Sequence, residues 1–121
     1  MRRQKEREQR ENSRQIKDVV SRLHTAANKG KAAPNDDMNA LAQVAYAVRP
    51  QLRELLSSLS SKEQQICLLT VHGFLPTEIA TLTISTPQTI TNTRVRLLKK
   101  LFNETGGAKD FDSAIKNFGI D

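Results

Sequence analysis

The sequence predicts an all-α fold: a small helical bundle preceded by one or two additional helices. Three observations carry this expectation. Apolar residues recur at three- and four-residue spacing in each segment that has an apolar pattern. Two helix starts are spelled out, by Ser60 with Glu63 three residues later and by Thr86 directly before Pro87. Near the end, Phe111, Ala114, Ile115 and Phe118 repeat the i, i+3, i+4, i+7 signature of a short amphipathic helix.

Composition narrows the function classes. The chain has 121 residues, one domain's worth of sequence with room for an appendage. Its net charge of +6 and pI near 9.8 favour a polyanionic partner, nucleic acid or an anionic membrane face. A hydrophobic content of 37% and a mean hydropathy of -0.53 imply that part of the chain lies outside the core. One cysteine excludes an internal disulfide framework and fits a reducing compartment. No apolar run approaches a bilayer span, and the first residues are charged. The expected compartment is the cytoplasm, either as a free protein or as the cytoplasmic portion of a longer membrane-anchored one.

Residues 1–23 are expected to form a charged helix or stalk. Its first part is stabilised only by pairs such as Glu6 with Arg10, each contributing about 0.2 to 0.5 kcal/mol. Ile16, Val19, Val20 and Leu23 then form a stripe able to dock on a neighbour or on a second copy. Residues 24–37, HTAANKGKAAPNDD, are rich in small and turn-forming residues and form the expected linker. From Met38 to Ser58 the pattern is amphipathic, through Leu41, Ala45, Val48, Leu52, Leu55 and Leu56. Pro50 interrupts it, which predicts a bend near Arg49 or two shorter helices.

The capping box of Ser60 and Glu63 opens a helix that turns Ile66, Leu69 and Thr70 inward, with Cys67 read as a small core residue. His72 before Gly73 fits a helix C-terminus, where a cation is favoured. Phe74 and Leu75 are expected to seal the underside of a later helix. A short helix from Pro76 carries Ile79, Ala80 and Leu82. A tight break follows, and Pro87 then opens a longer helix to about residue 102. At 100° per residue, Ile90, Leu97 and Leu101 share the core stripe, while Gln88, Thr91, Asn92, Val95 and Lys99 point away. Gly106 and Gly107 read as a turn, since no P-loop lysine pattern accompanies them. Asp110 is the expected cap of the last helix.

A short helix, a tight break and a capped second helix are the parts of a helix-turn-helix unit. Residues 59–101 resemble the LuxR-type (GerE-like) helix-turn-helix domain of bacterial transcription regulators. The matching residues are Leu59, Ser60, Lys62, Glu63, Ile66, Leu69 and Gly73, then Glu78, Ile79 and Ala80, then Thr89, Ile90, Arg96, Leu97, Lys100 and Leu101. The ungapped match covers about a third of the chain. It departs from the family at Thr83 and Ser85, where aliphatic residues are usual, at Thr93, usually histidine, and at Thr91, usually lysine. The resemblance implies that bases are read from Thr91, Asn92 and Val95, the positions that helical geometry also turns outward.

The base-contacting candidates are therefore Gln88, Thr91, Asn92 and Val95, whose small polar and apolar side chains suit base edges. The phosphate-contacting candidates are Lys62, Thr77, Arg94, Arg96 and Lys99. The expected partner is double-stranded DNA. Further candidates are a homodimer through the N-terminal helices or the 110–118 helix, and a contact with RNA polymerase. No nucleophile setting, paired acid or metal-ligand spacing occurs, so neither an enzyme nor a cofactor or metal protein is expected. The alternative is a sigma-factor-like or protein-binding helix-turn-helix module.

Overall fold

The computed structural model describes the backbone of residues 2–119 and the side chains of residues 14–119. Seven α-helices make up the described chain, with no strand: α1 (Arg2–Asn28), α2 (Asn35–Val48), α3 (Pro50–Leu56), α4 (Ser61–Val71), α5 (Pro76–Leu82), α6 (Pro87–Phe102) and α7 (Ala108–Asn117). They enclose one core, which joins Val19 and Leu23 of α1 and Met38 and Leu41 of α2 to Ile66, Ile79, Ile90, Leu97, Phe111 and Ile115. The all-α expectation holds. The expected pair of Glu6 and Arg10 lies outside the described side chains.

The segment expected as a linker, 24–37, is helical at both ends. α1 continues through His24 to Asn28, and α2 begins at Asn35. Ala26 and Ala27 are good helix formers, and both are half-buried against the core, so the helix runs on until Gly30 stops it. Gly30 has φ +68 and donates to Ala27 O, while Lys31 N reaches back to Ala26 O at 2.9 Å. This left-handed residue with two reverse bonds is a Schellman end. The remaining connector, 29–34, is bonded to the second half of the chain, Ala33 N donating to Leu82 O at 2.9 Å.

Pro50 divides the 38–58 segment into two helices. Arg49, at φ -129 and ψ 82, closes α2 and opens α3, with Pro50 at a first-turn position where its missing N–H costs nothing. α4 begins with the expected capping box. Glu63 N donates to Ser60 Oγ at 3.2 Å, and Ser60 N to Glu63 Oε1 at 3.0 Å. Cys67 is fully buried in this helix, and burial pushes its thiol up to about 12, which makes it a core residue and not a reactive one.

His72 departs from its expected role as a helix-end cation. Its Nδ1 donates to Leu68 O at 2.7 Å, and burial holds the ring below its ordinary pKa against that bond, with Arg49 nearby adding to the depression. Phe74 is buried in the core and stacks on His24 of α1, ring centroids 4.1 Å apart, whereas Leu75 is 61% exposed and takes no part in the expected seal. α7 starts at Ala108, two residues before Asp110. Its N-cap is Gly107, whose N–H donates to Asp110 Oδ2 at 2.8 Å, so the aspartate serves from inside the first turn.

Candidate nucleic-acid interface

α5 and α6 are joined by the turn 83–86, and each end of that turn is fixed locally. Thr83 Oγ1 donates to Ile79 O at 2.7 Å, which lets a hydroxyl be buried without an orphaned group. Thr86 Oγ1 accepts from Thr89 N at 3.1 Å, so the hydroxyl caps α6 and Pro87 takes its first turn. The displaced apolar residues separate at this turn: Leu82 is buried, whereas Ile84 points into solvent.

The outward face of α6 is open. Gln88, Asn92, Val95 and Lys99 are exposed and Thr91 is half-buried. Val95 is 40% exposed although aliphatic. Gln88 Nε2 donates to Asn92 Oδ1 at 3.0 Å, which orients both amides one turn apart. The Asn92 oxygen keeps a second lone pair and its amide nitrogen two protons, so the bidentate pattern complementary to an adenine edge remains available.

The inward face is wider than the predicted stripe. Ile90, Thr93, Arg94, Leu97 and Leu98 are buried, while Leu101 is only half-buried at the helix end. Two neighbours, α5 and α7, cover α6 from adjacent sides. This corrects one phosphate candidate. Arg94 is 5% exposed and its guanidinium grips Asp112 of α7 through two bonds, Nε to Oδ1 at 2.9 Å and Nη2 to Oδ2. It ties α6 to α7 and is not presented to a ligand. Its position was legible, because at 100° per residue Arg94 lies only about 40° from Ile90.

Arg96 is exposed but already has a partner, Nη2 donating to Glu63 Oε2 at 3.0 Å. The Ser60 backbone N–H, with the Ser60 hydroxyl and the Lys100 and Arg96 charges behind it, holds the Glu63 carboxyl below its usual range against a small burial effect. Such surface pairs contribute about 0 to 1 kcal/mol, so a phosphate can compete for Arg96. Lys62, Thr77 and Lys99 are exposed, at the start of α4, the start of α5 and the last turn of α6.

One group near this surface was missed by sequence reasoning. His24, assigned to the linker, donates from Nδ1 to Glu78 Oε2 at 2.6 Å, and Glu78 Oε1 also accepts from Leu75 N at 2.9 Å. Burial pushes the Glu78 carboxyl up, but these bonds and the neighbouring imidazole outweigh it and hold the group low. Together with the Phe74 stack, this pair docks α1 on the first helix of the α5–α6 unit. Fifty-four residues separate the partners, and no local pattern signals such a contact.

Among the described residues, no group of three or more His, Cys, Asp or Glu is placed to hold a metal ion, and no helix is long and apolar enough to cross a membrane. Compared with known proteins, the chain matches no family model, no curated protein and no solved structure.

Proposed function

We propose that this chain is a DNA-binding transcription regulator of the LuxR-type helix-turn-helix kind, with α6 entering the major groove. One observation supports this above the others. The face of α6 that carries Gln88, Asn92 and Val95 is left open, while the opposite face, with Ile90, Arg94, Leu97 and Leu98, is packed. Val95, 40% exposed, adds an aliphatic surface between these amides and Lys99. Against a duplex, the amides meet base edges, the valine meets a thymine methyl, and Lys99, with Lys62, Thr77 and a released Arg96, meets phosphates.

The test separates base reading from charge. Asn92→Ala is expected to cost about 1 to 3 kcal/mol of discrimination between the cognate and scrambled sites. Lys99→Ala is expected to weaken binding to both and to flatten the salt dependence. Gel-shift titrations on the two duplexes, with sites found by selection from random DNA, measure this. Equal losses from both variants on every sequence would refute the division of labour. A wild-type chain that ignores duplex DNA in dilute buffer would leave the protein-binding module as the reading.

A further inference from the structure

Among the described residues, three helix ends close with the same pair of reverse bonds. α1 ends with Lys31 N to Ala26 O and Gly30 N to Ala27 O. α4 ends with Phe74 N to Leu69 O and Gly73 N to Thr70 O. α5 ends with Ser85 N to Ala80 O at 2.7 Å and Ile84 N to Thr81 O at 3.3 Å. Each places one residue in the left-handed region, at φ +68, +82 and +55. Glycine fills the first two. The third is an isoleucine, a β-branched residue for which this conformation is a steric outlier. Ile84 is 78% exposed, so packing inside the fold returns little for the strain. A residue unfavourable both in backbone and in solvation is a place to look for a contact made outside the fold.

The surroundings of Ile84 indicate what that contact is. Leu82 O, two residues before it, accepts from Ala33 N at 2.9 Å, so the 29–34 connector is held against the end of α5. That connector carries Lys29 and Lys31, both exposed and neither in an ion pair with a described carboxylate. Of the acids that follow, Asp37 is held by Arg22 at 2.9 Å and Asp36 is exposed in the first turn of α2. On the other side of Ile84, two residues on, stands the cap of α6, the end of a recognition helix that lies deepest in the groove.

We infer that the 83–86 turn and the 29–34 connector form a second nucleic-acid contact, a strip that lies along the sugar-phosphate backbone beside α6. Lys29 and Lys31 take phosphate oxygens, and Ile84 lies on the apolar face of a deoxyribose between them. Cations beside an aliphatic surface are complementary to a chain of phosphates and sugars, and they carry no base information. The inference rests on the DNA-binding reading of α6 and extends it to elements outside the helix-turn-helix.

The test uses opposite signs. Ile84→Gly relieves the strained turn, so the thermal midpoint of the full chain rises by about 3 °C. The same substitution removes the sugar contact, so affinity for a duplex falls about tenfold, equally on selected and scrambled DNA. Ile84→Asn, which also tolerates the conformation, behaves in the same way and separates the effect from added flexibility. Lys29→Ala with Lys31→Ala reduces the slope of log K against log salt by about 1.8, or about 0.9 per phosphate. Variants at Ile84 that bind like wild type, together with an unchanged salt slope in the double lysine variant, overturn the strip while leaving α6 as the reader. A wild-type chain that binds no duplex overturns both.

Discussion

Asp112→Ala tests the contact that removed a cation from the proposed interface. Arg94 has a side chain 6% exposed and Asp112 one 26% exposed, and the two share two hydrogen bonds between α6 and α7. Two effects compete in predicting the outcome. If the pair behaved as a surface ion pair, its loss would cost about 0 to 1 kcal/mol. If Arg94 behaves as a buried charge, deleting its only described carboxylate partner leaves a desolvated guanidinium, at about 3 to 5 kcal/mol. The burial of Arg94 selects the second, and the partial exposure of Asp112 puts the value near the lower bound, about 3 kcal/mol. With a urea m-value of about 2 kcal/mol per molar, the unfolding midpoint drops by about 1.5 M. Replacing both partners, Arg94→Met with Asp112→Leu, restores most of the loss, because no unpaired charge remains. Urea unfolding followed by circular dichroism measures all three variants. A loss below about 1 kcal/mol for Asp112→Ala would show that Arg94 is hydrated, and would return it to the set of cations available to phosphate.

Two further outcomes are expected. Leu23 is fully buried, so Leu23→Ala should cost about 2 to 5 kcal/mol within a single unfolding transition; a loss under 1 kcal/mol would mean that α1 does not dock on the bundle. The folded chain holds His72 below its ordinary value of 6.5, so the unfolded chain binds the proton first and stability falls as the pH drops from about 6.5 through the depressed value. The low carboxyls of Glu63 and Glu78 add their own loss only in the more acidic range, as the pH falls from their ordinary value near 4.5 through their depressed ones. His72→Gln should therefore flatten the stability curve around pH 6 and leave the acid limb in place, as measured by thermal midpoints across pH.

The elements legible in the sequence are those whose cause is local. The cap at Thr86, the box at Ser60 and the period of α7 each depend on residues within one turn of each other, so spacing alone specifies them. The misassigned residues owe their positions to partners far along the chain. The charge of Arg94 suggests a phosphate ligand while its angle on α6 points inward; the carboxylate that permits its burial stands 18 residues away on another helix. His24 was placed in a linker because turn-forming neighbours dominate that window. What keeps it helical is the Phe74 ring and the Glu78 carboxylate on its far side. An aromatic residue after a helix end, such as Phe74, is legible as buried, but its stack on His24 is not.

The ion pairs also limit how the proposed interface can bind. Of the four cations on α6, Arg94 is enclosed and Arg96 is shared with Glu63, a carboxylate that it exchanges for a phosphate on binding, so the proposed set of phosphate-meeting cations is Arg96 and Lys99 with Lys62 on α4. Three phosphate contacts give a slope of log K against log salt of about -2.7. Recruiting Lys29 and Lys31 through the connector brings the slope to about -4.5, and two copies on adjacent half-sites double either value. Fluorescence anisotropy on a single selected half-site, measured from low to physiological salt, therefore counts the contacts. A slope well beyond -4.5 in a chain that sedimentation shows to be monomeric would require phosphates to be met by cations outside this set, and the proposed orientation of α6 in the groove would then be wrong.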